Sequence, residues 1–264
     1  MSANGKPTLW QIKISHYSEK IRWALDLKSV EHERKAPPPG PHMAFALIKS
    51  RGASKTFPLL DLDGETYSDS TEIIAALERR WPEPPLYPED PAKRTRALAL
   101  EDFFDEQVGP YTRLLAWNTI VSDPPTARKL IEDSMVGPLK AGSRFTAPVA
   151  AGFLQLRYGV KSADRASEAR AKIEAGFDRL EAELDGNEYL VGNRFTVADL
   201  TAAALFYPTV LPPEGPPLPE PPPAYAEIRA ALEDRPGFKW VEEMFHRHRK
   251  RGAAKAPAGA TSAA

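Results

Sequence analysis

Residues Pro7 to Lys28 read PTLWQIKISHYSEKIRWALDLK, and the hydrophobic period changes inside this stretch. From Pro7 to Ser15, Leu9, Ile12 and Ile14 alternate imperfectly with polar residues, the pattern of a strand. From Tyr17 the period is helical. Ile21, Ala24, Leu25 and Lys28 share one face with Glu19 and Lys20 opposite, so an amphipathic helix starts just after Ser15. A strand, a tight turn and a helix in this order open an α/β unit.

The next sixty residues extend it. His32 to Lys35 is a short charged strand, Pro41 to Ser50 a second helix, and Phe57 to Leu62 (FPLLDL) an apolar strand. Asp63-Gly64 is a hairpin turn into Glu65 to Tyr67, and Thr71 to Arg80 is a third helix. The order β-α-β-α-β-β-α predicts a small mixed sheet flanked by helices. The run WPEPPLYPEDP from Trp81 to Pro91 cannot continue a helix, because each proline lacks an N–H and restricts its predecessor. We therefore place a proline-rich linker at 84–91, between an N-terminal domain over 7–83 and a second domain over 92–250.

That second part reads as helix throughout. Ala92 to Thr119 is a single long amphipathic stretch, Thr126 to Leu139 and Ser167 to Leu184 are further helices, and Thr196 to Phe206 is a short apolar one. The last has a legible start: Thr196 and Asp199 form a reciprocal capping box, with Phe195 and Leu200 as the staple. Between Tyr207 and Ala224 lie nine prolines, read as an extended loop over 208–223 before Tyr225 to Leu232 and Phe238 to Arg249 become helical again. The basic run from His246 reads as a fraying helix end, and 251–264 as a disordered tail.

Composition narrows the function classes. The 264 residues are 42% hydrophobic, enough for a sizeable core, and 35 basic against 36 acidic residues give net charge −1. Such a balance gives no chain-wide footprint for nucleic acid or an anionic membrane. Without cysteine there is no disulfide framework, no thiolate nucleophile of the protein's own and no cysteine-based metal site. No metal is expected. The N-terminal stretch lacks a signal-peptide pattern and no apolar run is long enough to span a bilayer, which leads us to expect a cytoplasmic protein.

Four stretches carry a resemblance: SHYSEKIRWAL from Ser15, FPLL from Phe57, DSTEII from Asp69 and FTVADL from Phe195. In this order and spacing, over roughly Leu9 to Arg249, they resemble the cytosolic glutathione transferases of the serine type. The resemblance implies a thioredoxin-like N-terminal domain followed by an all-helical C-terminal domain. It implies glutathione as co-substrate, a homodimer, and an enzyme that directs the glutathione thiolate at a hydrophobic electrophile by conjugation, thioether cleavage or isomerisation, as in detoxification. The alternative is a non-catalytic protein of the same fold, used for binding or assembly.

The same resemblance assigns residues. A hydroxyl at the N-terminus of the first helix lowers the pKa of a bound thiol, since the helix end favours negative charge. Ser15 and Ser18 are both candidates, and Tyr17 is a third; as plain sequence, either serine is also an ordinary N-cap. Phe57-Pro58 corresponds to the family's cis X-Pro pair, whose backbone meets the cysteinyl unit of glutathione. Asp69 and Ser70 resemble the pair that holds the γ-glutamyl end, and as plain sequence are also an ordinary N-cap with an acidic first turn; Lys55 either meets the glycyl carboxylate or is a solvated loop lysine. Phe103, Tyr111, Leu114 and Trp117 form an aromatic stripe that either lines the electrophile site or packs as core. Arg22 and Trp23 are read as packing residues. With no cysteine in the first turn, a disulfide-reducing role is excluded.

Overall fold

The structure is a computed structural model and describes residues 6–37, 42–127, 129, 163–216 and 220–249. The chain divides into two compact units: the residues up to Pro84 together with His248 and Arg249, and Pro85–Arg247.

The first unit contains β1 (Thr8–Trp10), α1 (His16–Leu27), β2 (Glu33–Lys35), α2 (His42–Lys49), β3 (Leu59–Leu62), β4 (Glu65–Tyr67) and α3 (Ser70–Arg80). The sheet order is β2-β1-β3-β4, with β1 parallel to β2 and antiparallel to β3, and β3 antiparallel to β4. This is the thioredoxin-like arrangement. The β3–β4 hairpin turns at Asp63 (φ 50°) and Gly64 (φ 89°), the two positive φ angles that a two-residue turn matched to strand twist requires.

Two expectations change here. The first strand stops at Trp10 rather than Ser15, because the chain turns back on itself: the Ser15 N–H donates to the Ile12 carbonyl at 3.0 Å. Helix α1 is not one-sided either. Glu19 and Lys20, expected on its outer face, are 1% and 0% exposed. Burial of Glu19 is tolerable because two arginines pair with it, Arg22 and Arg249. At the other end of α1 the buried Lys28 ammonium satisfies its donors on Glu78 Oε1 (2.5 Å) and on the carbonyls of Trp81 (2.8 Å) and Pro84 (2.9 Å). That clamp fixes the end of α3 and Pro84 against α1.

The second unit contains α4 (Pro91–Gln107), α5 (Gly109–Ser122), α6 (Ala163–Leu184), α7 (Val197–Val210), α8 (Pro223–Ala230) and α9 (Pro236–His248), the last residue of which belongs to the first unit. The expected single helix over Ala92 to Thr119 is two helices, broken at Val108. Pro110 has no N–H for the Glu106 carbonyl and its ring crowds that turn, so the ladder restarts with Tyr111 N–H donating to Val108 O at 3.0 Å. Every residue of α7 is buried, as its apolar composition on all sides demands, and it forms the axis of the bundle. Around it Phe177 stacks on Phe206 with centroids 4.2 Å apart, and Phe104 meets Phe206 edge-on at 6.1 Å.

Helix α7 also runs four residues beyond the expected Phe206, through Pro208 to Val210. Burial holds this extension: the Tyr225 hydroxyl donates to the Pro208 carbonyl and Arg229 Nε to the Val210 carbonyl. The proline-rich loop starts only after Leu211. The expected helix over Thr126 to Leu139, apart from its first residues, and the tail over 251–264 lie outside the described residues.

Candidate functional site

Strand register brings three chain segments to one end of the sheet. Trp10, the last residue of β1, pairs with Leu59, the first of β3, and with Lys35, the last of β2. Leu60 pairs with Tyr67, the last of β4. The turn after β1, the segment before β3 and the segment after β4 therefore leave the sheet at the same end. They carry Ser15, Phe57-Pro58 and Asp69-Ser70. The N-termini of α1 and α3, with the positive ends of their dipoles, follow directly.

Ser15 is the N-cap of α1. Its Oγ accepts from the Ser18 N–H at 3.3 Å and the residue is half-buried. A hydroxyl used as acceptor still has a proton to donate. Ser18 differs: it is fully buried, and its Oγ accepts from the Ile12 N–H at 3.3 Å, which locks the turn from inside. Tyr17 is half-buried with its ring against that of His16, centroids 4.6 Å apart, while His16 itself is 3% exposed.

The turn is held from behind by Arg22. Its guanidinium donates to Gln11 Oε1 (2.5 Å), Glu19 Oε2 (2.6 Å), the Lys13 carbonyl (3.0 Å) and the Ser15 carbonyl (3.4 Å). Burial pulls this guanidinium below its ordinary pKa, and the adjoining Glu19 carboxylate pushes it back up.

The peptide bond between Phe57 and Pro58 is cis, as the resemblance implies. Both residues are buried, Phe57 in a cluster with Ala46 and Leu59 on which Trp10, Ile12 and Phe45 pack. Through Ile12 this cluster touches the turn that carries Ser15. Lys55 is exposed in the loop before it, which Ser50 and Ser54 brace with side-chain to backbone bonds of 2.9 Å and 3.1 Å. Asp69 caps α3: its Oδ1 accepts from Thr71 N–H (2.8 Å) and Glu72 N–H (3.3 Å). It is exposed, whereas Ser70 is 6% exposed. Among the described residues no group of three or more His, Asp or Glu side chains could hold a metal, and no helix is long and apolar enough to cross a membrane.

Residues 9–85 match the glutathione S-transferase N-terminal domain and residues 146–247 the glutathione S-transferase C-terminal domain. The chain belongs to the glutathione S-transferase family. It is 35% identical over 98 residues, 37% of its own length and 46% of the relative's, to a probable maleylacetoacetate isomerase of Caenorhabditis elegans. The chain spans about half the length of the curated relatives it matches. Among solved structures it shares the fold of a bacterial zeta-class maleyl pyruvate isomerase (TM-score 0.61, 22% identity, covering 96% of this chain and 100% of that one). The β-etherase LigF of Sphingobium sp. strain SYK-6 is similar at TM-score 0.59 and 22% identity, covering 90% of this chain and 99% of that one.

In this glutathione S-transferase family member the proposed aromatic stripe belongs to two helices, not one. Phe103 on α4 has the Arg179 guanidinium 5.0 Å from its ring centroid, and Tyr111 on α5 has the Lys172 ammonium at 5.6 Å, both cations from α6. Leu114 is buried and Trp117 half-buried. Sequence reasoning missed the part played by Arg22. It fell on a helix face that looked like packing, and its donors reach loop carbonyls that leave no mark in the sequence.

Proposed function

We propose that the protein binds glutathione at the sheet end described above and ionises its thiol for attack on an apolar electrophile. One observation carries the reading: Ser15 holds a hydroxyl at the positive end of α1 with its acceptor side engaged by Ser18 N–H and its proton left to donate. A hydroxyl donor and a helix N-terminus both favour thiolate over thiol. The thiol proton passes to solvent, the sulfur forms a bond to carbon, and a leaving group departs with its electron pair. On an activated double bond the same thiolate adds, permits rotation and is expelled again, which is isomerisation. Relatives named as isomerases and a β-etherase of the same fold support this range of chemistry.

Within this reading Ser15 rather than Ser18 contacts the sulfur, because Ser18 is sealed in and already bonded to Ile12 N–H. Phe57 and Pro58 present backbone to the cysteinyl unit and Lys55 meets the glycyl carboxylate. Asp69 and Ser70 hold the γ-glutamyl end; the α3 cap uses only Oδ1 of Asp69, which leaves Oδ2 for the ammonium. The electrophile is assigned to the apolar side chains of Phe103, Tyr111, Leu114 and Trp117. Detoxification of such compounds by a cytoplasmic homodimer completes the proposal. Light scattering should give twice the mass of one chain, and a concentration-independent monomer removes the dimer.

The deciding experiment is titration of the protein with glutathione while the thiolate band in the near ultraviolet is followed against pH, together with turnover of an activated aryl chloride. A bound thiol that ionises below its free pKa supports the enzyme. No binding at millimolar glutathione leaves the non-catalytic alternative. Asp69→Ala should raise KM for glutathione about tenfold with kcat nearly kept, since it binds a part of the ligand remote from the sulfur. It should also cost about 1 kcal/mol of stability through the lost cap. A fall in kcat at unchanged KM sinks that assignment.

A further inference from the structure

The Ser15 turn is braced by a chain of buried charges that starts far away in sequence. Arg22 is a fork that ties three segments together through four acceptors: the residue after β1 through Gln11, the turn through the carbonyls of Lys13 and Ser15, and α1 through Glu19. Its orientation depends on Glu19, which offers Oε2 to Arg22. The other oxygen, Oε1, accepts from Arg249 Nε. Arg249 is 7% exposed, and its Nη1 reaches Asp26 Oδ2 at 2.8 Å, further along α1. Its guanidinium lies 6.0 Å from the Trp23 ring centroid, and Trp23 Nε1 donates to the His248 carbonyl at 3.0 Å. The basic run from His246 therefore does not fray at once: Arg249 is seated on α1.

We propose that Arg249 is a positioning residue for the thiolate-binding turn, acting through Glu19 and Arg22 on the backbone of Lys13 and Ser15. The inference rests on the proposed function for its meaning in catalysis, but the mechanical linkage it describes exists whether or not glutathione is the ligand. Without Arg249, Glu19 Oε1 is a buried carboxylate oxygen with its arginine donor gone, in a place where an unmet charge is costly. Glu19 then turns toward whatever water it can admit. Arg22 loses the bond that fixes its plane, and the Lys13 and Ser15 carbonyls lose their common donor. The Ser15 hydroxyl, which must sit within a few tenths of an ångström to bond a thiolate, becomes loosely held.

Three measurements on the full chain test this. In Arg249→Ala, amide exchange of residues 12–19 should accelerate at least tenfold while α3, over 70–80, stays as protected as in the parent protein. The fraction of bound glutathione that is ionised at fixed pH should fall several-fold, and kcat should fall about as much with KM for glutathione little changed. Finally, adding Arg249→Ala to Ser15→Ala should lower kcat no further, because the hydroxyl it positions is gone; a merely structural arginine would cost the same in both backgrounds. Should Arg249→Ala fail to fold, Arg249→Gln, which keeps a neutral donor, should show the same directions at smaller size. Unchanged exchange over 12–19 overturns the proposal, as does an additive double variant. If the parent protein shows no glutathione thiolate, the functional reading fails and the exchange result alone decides the linkage.

Discussion

Ser15→Ala should lower kcat roughly 10- to 100-fold while the binding of glutathione changes little, the equivalent of one hydrogen bond to a charged partner, about 1.5–3 kcal/mol. The reason lies in the ionisation state. A thiol accepts a hydrogen bond weakly and a thiolate strongly, so the hydroxyl acts mainly once the proton has left, and its loss should raise the bound thiol's pKa by about one to two units. The cap bond from Ser18 N–H is lost with it, at about 1 kcal/mol of stability. Ser18→Ala should instead act on the turn: the Ile12 N–H loses its acceptor inside the protein, so stability falls while the thiol pKa moves less. The thiolate band of bound glutathione against pH, read in both variants, decides between them. If Ser18→Ala raises the pKa and Ser15→Ala does not, the donor is Ser18; if neither does, Tyr17 or the backbone N–H groups at the start of α1 carry the charge.

Much of the first unit is legible because local signals agree with the tertiary outcome. The change from period two to a helical period across Ser15, the Asp63-Gly64 turn and the acidic start of α3 each fix a boundary by short-range chemistry alone. The hairpin register then puts Asp69 at the same end as Ser15. The outer face of α1 is misread because of burial. Glu19 and Lys20 look like a solvated face because a helical wheel counts charge, and it cannot show that residue 249 supplies a counter-charge for residue 19. The break at Val108 is marked in the sequence by Gly109-Pro110, but the apolar pattern continues across it from Phe104 to Leu114.

The candidate site residues divide in the same way. Ser15, Phe57, Pro58, Asp69 and Ser70 are recognisable because each sits where a turn or cap already constrains its residue type. Arg22 is not, since its work is done on the carbonyls of Lys13 and Ser15, and any residue there would offer the same carbonyl. The aromatic stripe is the weakest reading for a physical reason. Phe103 and Tyr111 face cations of α6, a surface that periodicity along α4 and α5 cannot distinguish from a ligand wall.

Asp199→Ala should destabilise the protein by about 3 kcal/mol at pH 7, read as a shift in the urea midpoint, because it strands three donors at once. Asp199 is fully buried; its Oδ1 accepts from Leu190 N–H (2.8 Å) and its Oδ2 from both the N–H and the hydroxyl of Thr196 (2.8 Å each). These bonds start the central helix α7 and pin the segment before it, so the loss spreads through the second unit. The size depends on pH in a definite direction. Burial pushes the Asp199 carboxyl up to about 6 from its ordinary 3.8, against the hydrogen bonds that pull it down. A folded pKa above the unfolded one means the folded state holds the proton more tightly. The stability this group adds is then complete below the unfolded value and is lost as pH rises to about 6. The penalty of Asp199→Ala should accordingly be roughly 2 kcal/mol larger at pH 4.5 than at pH 7. Equal penalties at the two pH values would mean that Asp199 is ionised throughout and that its three hydrogen bonds outweigh its burial.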